Sequence, residues 1–160
     1  MFRKVSLTAA AALLASPVFA CEGFEVQDPY ARASTPMSTS GAAFMLMVNT
    51  GDADCHVIGA RSDAAQRTEL HTHIQDDNGV MRMVHVEEGF IVPAHGELAL
   101  QRGAEHVMFM GLNAPFEQDK ILQVTLDFED GTEYTFDLPV DLERLPRQLQ
   151  MQMNGDSQDN

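Results

Sequence analysis

Positive charge is scarce in this sequence, and its scarcity excludes two classes of partner. The chain contains 10 Lys and Arg residues against 24 Asp and Glu residues, which gives a net charge of −14. A surface this acidic repels nucleic acid and anionic membranes. The sequence also lacks G-x-S-x-G and H-E-x-x-H motifs and any clear nucleophile–base pair, so we do not expect an enzyme.

Long hydrophobic runs are missing as well, apart from one at the amino terminus. This run, residues 5–15, follows Arg3 and Lys4 and is too short to span a bilayer. With the small-residue site ending at Ala20, it is typical of a secretory signal peptide, although a buried helix is the alternative. We predict cleavage after Ala20, which removes two positive charges and leaves a net charge of −16.

Cysteine is nearly absent, and the two that occur leave two interpretations open. Cys21 would be the first residue of the mature chain, which hints at a lipoprotein, although Phe19 fits a lipoprotein box poorly. In an exported protein, two cysteines most simply form one disulfide. We therefore predict a Cys21–Cys55 disulfide. The sequence alone does not show whether the two side chains have the distance and orientation that a disulfide requires.

Beyond the signal segment, no helical period of convincing length is found, and short strand-like runs separated by Gly, Pro, Asn and Asp predominate. They predict one all-β domain over residues 21–146, an antiparallel β-sandwich or barrel, followed by a flexible polar tail over residues 147–160. The predicted strands are 24–32, 42–49, 55–60, 67–75, 80–86, 97–101, 105–110, 120–128 and 132–140.

Two hairpins are indicated by turn residues. Residues 121–140 alternate apolar and polar side chains around Asp130-Gly131. In segment 69–86, a three-residue loop at residues 77–79 places His73 opposite Met83, whereas a two-residue loop would put the histidines and methionines on opposite faces. We favour the three-residue loop, which gathers five soft or nitrogen donors on one face: His71, His73, Met81, Met83 and His85.

A second row of the same composition follows at residues 106–110, where His106, Met108 and Met110 alternate along a strand. Methionine is an unusual choice for a strand. Thioethers combined with imidazoles suit Cu(I), whereas Zn(II), Ca(II) and Mg(II) prefer other donors. If the two rows meet, a histidine and a methionine from each would make a four-ligand copper site.

Other methionines and histidines have simpler interpretations. We expect Met45, Met47 and Met110 to fill the core, because methionine commonly packs into irregular gaps. The remaining histidines are expected at the surface or in hydrogen bonds: His56, His85 and His95.

The stretches "ELH", "GVMRM", "VPAHGE" and "HVMFMGL" carry a family resemblance. The chain resembles the periplasmic copper chaperones of the PCu(A)C type, whose signature is H-x10-M-x21-H-x-M. The resemblance implies four Cu(I) ligands: His71, Met83, His106 and Met108. Both long spacings are one residue longer here, 11 and 22, and His73 is the best substitute for His71.

The resemblance also implies a fold, a function and partners. The fold would be a cupredoxin-like β-sandwich. The protein would be a monomeric periplasmic metallochaperone that delivers Cu(I) for the binuclear copper centre of cytochrome c oxidase. Its partners would be the copper-bearing oxidase subunit and a Sco-type thioredoxin-like protein. The tail offers only Met151 and Met153 for a second copper.

Two rival functions remain. A blue-copper electron-transfer protein needs a cysteine thiolate with its histidines, and Cys55 is far in sequence from His106 and Met108. An exported immunoglobulin-like interaction domain with incidental methionines is the other.

Overall fold

The computed structural model describes residues 21–144, which form ten β-strands. The predicted signal peptide (residues 1–20) and the whole predicted tail (residues 147–160), which includes Met151 and Met153, lie outside the described residues. Within the described part, no helix is long and apolar enough to cross a membrane. The strands are β1 (Phe24–Arg32), β2 (Ser40–Asn49), β3 (Cys55–Arg61), β4 (Ala65–Gln75), β5 (Met81–His85), β6 (Phe90–Val92), β7 (Gly96–Leu100), β8 (His106–Leu112), β9 (Ile121–Phe128) and β10 (Glu133–Pro139).

The strands form two antiparallel sheets, which confirms the predicted all-β sandwich. One sheet has the order β1-β2-β8-β4-β5, with β7 also paired to β2, and the other has the order β10-β9-β3-β6. Strand β8 is therefore bonded to β2 on one side and to β4 on the other, although both partners lie far from it in sequence. This crossover is what brings the two His/Met rows together.

The core lies between the sheets and takes alternate residues from each strand, as side-chain alternation requires. Val107 and Phe109 of β8 face Val124 and Leu126 of β9 across the interior, and all four are fully buried. Met45 and Met47 are core residues, as expected from the sequence. Because the core uses the odd positions of β8, its even positions project from the opposite face of the sheet.

Both predicted hairpins are present, and each turns on a glycine with positive φ. In the β4–β5 hairpin, the Asp76 N–H donates to the Val80 carbonyl at 2.9 Å and Gly79 has a φ of 79°. In the β9–β10 hairpin, the Phe128 N–H donates to the Thr132 carbonyl at 3.0 Å and Gly131 has a φ of 82°. Each loop therefore has three residues, as we predicted for residues 77–79, and the His/Met register follows from it.

One strand of the described residues was not predicted from the sequence. The three-residue strand β6 pairs with β3 through Cys55–Val92 and Val57–Phe90, although its short sequence resembles a loop. A run of three residues has too little alternation to be recognised. It forms because Phe90 and Val92 both bury their side chains in the core.

Candidate metal centre

The outer face of the six-stranded sheet carries both His/Met rows side by side. Strands β4 and β8 pair so that His71 lies opposite His106, and β4 and β5 pair so that His73 lies opposite Met83. The two rows therefore meet, as required for a joint site. This outer surface, formed by residues of β4, β5 and β8 with Phe44 of β2, is called the His/Met face below.

A cleft of about 440 Å³ opens on this face and receives four candidate donors. They are His73, Met83, His106 and Met108. Three of them belong to the ligand set implied by the resemblance. The fourth donor at the cleft is His73, and His71 is not among the lining residues.

His106 is the most deeply buried polar side chain of the cleft, with 2% of its surface exposed. Phe44 lies beside it, with 6.2 Å between ring centroids. The His106 Nδ1–H donates to the Ala104 carbonyl at 3.0 Å, because a carbonyl oxygen can only accept. The Nε2 of the neutral ring therefore keeps its lone pair, and burial lowers the pKa of His106, which favours that neutral form.

The tautomer of His73 is fixed in the same way as that of His106. Its Nδ1–H donates to the same Ala104 carbonyl at 3.3 Å, and its ring centroid lies 5.2 Å from that of His106. Metal-binding histidines commonly donate their second nitrogen to a carbonyl or carboxylate, which fixes the tautomer. One backbone carbonyl thus leaves two Nε2 lone pairs, of His73 and His106, available at the cleft.

His71 has different contacts. It lies between His106 and His85, at centroid distances of 5.9 and 5.8 Å, and its Nε2–H donates to Glu69 Oε2 at 2.9 Å. This hydrogen bond is the main reason that the pKa of Glu69 is lowered. The His71 Nδ1 is buried and has no hydrogen-bond partner among the described residues. His71 therefore also holds a donor lone pair, although it is not among the residues that line the cleft.

The two cleft methionines differ from each other in exposure. Met83 on β5 has 45% of its surface exposed, and Met108 on β8 is partly buried. Met110 lies two residues further along the same face, where its sulfur is 3.6 Å from Arg67 Nη2. The expectation that Met110 packs in the core is therefore wrong. Met110 lies two residues from Met108 on β8, so both side chains are on the outer face of the sheet, away from the interior.

The chemistry of the donors is soft and neutral. Within residues 21–144, no group of three or more His, Cys, Asp or Glu side chains is arranged to hold a metal ion. At the cleft, thioethers would supply half of a four-donor set. Two imidazole nitrogens and two thioether sulfurs fit Cu(I) better than the harder divalent ions.

Several contributors were not found from the sequence. Phe44 lies on the same strand as the core methionines. Only the alternation of side chains along the strand, which puts Phe44 on the opposite side from Met45, indicates that it faces outward. The Ala104 carbonyl is a backbone group with no sequence signal. Arg32 and Arg102 also line the cleft, and they are brought there by pairing and loop geometry that residue types do not indicate.

The family model described as "Putative lipoprotein LpqE-like" matches residues 24–140 of this sequence. The chain belongs to the LpqE-like family. A relative from Leifsonia xyli subsp. xyli, described as "Putative lipoprotein Lxx21020", is 37% identical over 119 residues, which cover 74% of this chain and 70% of that protein.

Solved structures of PCuAC domains and of DR1885 are similar to this chain. The Cu(I) form of DR1885 from Deinococcus radiodurans is 30% identical, covers 74% of this chain and 79% of its own, and has a TM-score of 0.56. The copper-bound PCuAC domain from PmoF2 covers 78% of this chain and 97% of its own with a TM-score of 0.61, and its identity of 21% makes it a likeness of fold. This LpqE-like protein therefore has the PCuAC fold.

Proposed function

We propose that this LpqE-like protein is an exported Cu(I) carrier. The observation that carries the proposal is the cleft itself: two imidazoles with fixed tautomers and two thioethers converge on one opening in a PCuAC-type fold. The Cu(I) form of DR1885, a protein 30% identical to this one, supports the same cargo.

The proposed ligands are Met83, His106, Met108 and one histidine of β4. The signature spacing favours His71 for the last position. The contacts favour His73, because it lines the cleft with the other three and Glu69 engages the Nε2 of His71. We adopt His73 as the working ligand, with His71 as the alternative tested below.

Neutral ligands at the surface suit a carrier better than a permanent site. With no anionic donor, bound Cu(I) keeps its single positive charge, and Arg32 and Arg102 at the cleft would oppose a divalent ion more strongly. Met83, the most exposed donor, would be the first to yield to a partner's ligand, and the buried His106 the last. Copper would then pass by stepwise exchange, without turnover. None of the described residues that line the cleft is a cysteine, which disfavours the electron-transfer alternative.

We further propose that the carrier acts outside the cytoplasm, in the periplasm, and delivers copper for the binuclear centre of cytochrome c oxidase beside a Sco-type protein. The predicted signal peptide and the lipoprotein names of the family and its relative support export. The destination and partners come from the copper-chaperone resemblance, and the monomeric state is part of the same proposal.

Cu(I) stoichiometry under a competing chelator tests the function directly. The purified protein should hold one Cu(I) per chain against the competitor under anaerobic conditions and show no blue absorbance with Cu(II). Binding should weaken in acid, because imidazole ligands must be neutral. Failure to retain a stoichiometric Cu(I) would favour the interaction-domain alternative.

A further inference from the structure

Cys21 and Cys55 meet inside the sandwich, away from the His/Met face. Cys55 begins β3 and is fully buried in the core. Cys21 lies in the turn before β1, is partly buried and packs against the same core. The Cys55 thiol donates a hydrogen bond to the Cys21 sulfur, so the two sulfurs lie within hydrogen-bonding distance of each other.

The turn that carries Cys21 is held in place by neighbouring backbone. The Thr50 N–H and the Thr50 hydroxyl both donate to the Gly23 carbonyl at 3.1 Å. Gly23 has a φ of 89°, and a Cβ there would meet the Thr50 hydroxyl at 2.5 Å. The contact between the cysteines is therefore positioned by a built turn, in addition to the packing of their side chains.

We propose that Cys21 and Cys55 are a disulfide-forming pair that fastens the amino-terminal turn to β3. The two sulfurs lie within hydrogen-bonding distance and Cys21 packs against the core that contains Cys55. The 33 intervening residues make a loop whose closure restricts the unfolded chain substantially. The bond would span the first strand of one sheet and an inner strand of the other, independently of copper.

The two thiols have unequal roles in forming the bond. Cys21 is the more exposed and accepts hydrogen bonds from the Cys55 thiol and the His56 backbone N–H, which favour its thiolate. Burial is the main cause of the pKa shift of each thiol. The pKa of Cys21 is raised, and the pKa of Cys55 is raised to about 12. Cys21 is therefore the attacking thiol and Cys55 the resolving one.

The reaction needs an external disulfide, such as that of an oxidised thiol–disulfide oxidoreductase. The Cys21 thiolate attacks one of its sulfurs, forms a mixed disulfide and releases the other as a thiolate. Cys55 then loses its proton and attacks the Cys21 sulfur, which releases the second thiolate. The protein gives up two electrons and two protons, and the external disulfide becomes two thiols.

Oxidised glutathione serves as the probe. After incubation with it, the purified protein should yield a linked peptide pair containing Cys21 and Cys55 under non-reducing digestion. Reduction should then lower Tm by roughly 10 °C. A Cys21→Ala/Cys55→Ala variant should lack the Tm response to reductant and retain Cu(I) binding, whereas the copper-site variants described below should form the bond normally.

Three results would overturn the proposal. They are two alkylatable thiols after the incubation, a glutathione adduct on Cys21 that Cys55 does not displace, and a diacylglyceryl thioether on Cys21 in protein isolated from its own cells. A thioether excludes a disulfide at the same sulfur. None of these results depends on copper, so the carrier function and the disulfide can fail separately.

Discussion

The outer faces of the two sheets are built on the same backbone alternation and have opposite chemistry. On the four-stranded sheet, Arg61 forms a two-pronged pair with Asp127 and reaches Glu133 at 2.7 Å, and Thr125 and Thr135 share a hydrogen bond of 2.8 Å. We call this surface the ionic face. The His/Met face also has an ion pair, between Arg67 and Glu69, and adds the neutral donors of the cleft, of which His106 has only 2% of its surface exposed.

The difference shows where a sheet surface becomes a site. Opposite charges on the ionic face satisfy one another in solvent and contribute little to stability. On the His/Met face, Glu69 engages His71 and Arg67 approaches the Met110 sulfur, whereas the Nε2 lone pairs of His73 and His106 remain available at the cleft. The carbonyl of Ala104 even takes the competing N–H groups of His73 and His106. Residual donor capacity, rather than charge, distinguishes the two faces.

Removing the two thioether sulfurs from the His/Met face should have the largest effect on Cu(I) affinity. Met83→Leu with Met108→Leu keeps side-chain volume and deletes both sulfurs, so the fold should lose less than about 1.5 kcal/mol per substitution. Cu(I) affinity should fall by roughly two orders of magnitude or more, because only imidazoles remain. Chelator competition measures the affinity, and Zn(II) binding, if any, should change little.

The matched control is Met81→Leu with Met110→Leu. Each residue lies two positions from a proposed ligand on the same face, and neither is among the residues that line the cleft. Its Cu(I) affinity should equal that of the parent. Equal affinities for parent and for Met83→Leu/Met108→Leu would make these methionines packing residues and remove the proposed site.

The two histidines of β4 should respond unequally. His73→Gln should weaken Cu(I) binding roughly 100-fold, as expected for loss of a ligand, whereas His71→Gln should cost about tenfold or less, as expected for a neighbour that orients the site. The same competition assay compares them. The reverse order would assign the ligand to His71, as the signature spacing implies.

A substitution on the ionic face should have little effect on stability or on Cu(I) affinity. Arg61→Gln breaks its pairs with Asp127 and Glu133, yet Tm should shift by less than about 2 °C, because exposed ion pairs are screened by solvent. Cu(I) affinity should be identical to that of the parent. A large loss of copper affinity would show that the two faces are coupled and that the contrast is incomplete.

The smallest expected effect is the pH dependence contributed by His56 at the edge of the ionic face. Its Nδ1 pairs with Glu129 Oε2 at 3.0 Å, and this hydrogen bond is the main cause that raises the pKa of His56. The folded state therefore binds the proton more tightly, and the stabilisation is complete below the unfolded pKa of about 6.5 and lost as pH rises through the folded value. Relative to His56→Gln, the parent should be slightly more stable in urea at pH 5.5 and no more stable at pH 9. A difference that grows with pH would contradict this assignment.

Much of the fold could be predicted from local pattern. Alternation and turn glycines located nine of ten strands to within about two residues and set the three-residue loop that aligns His73 with Met83. These features are local, because the two faces of a strand follow from the alternation of neighbouring residues and the register of a hairpin follows from the length of its loop. The short β6 escaped because its reason for forming is burial against distant strands.

The sequence by itself determined which side chains share a strand face, the supply of soft donors, and the acidic surface. Only the tertiary structure decided that β8 lies between β2 and β4, which joins the two rows, and that Phe44 and the Ala104 carbonyl complete the surroundings of His106. It also brought the Cys21 and Cys55 sulfurs within hydrogen-bonding distance. The physical reason is that pairing between strands far apart in the chain is chosen by the joint burial of two sheets, which no short window of residues encodes.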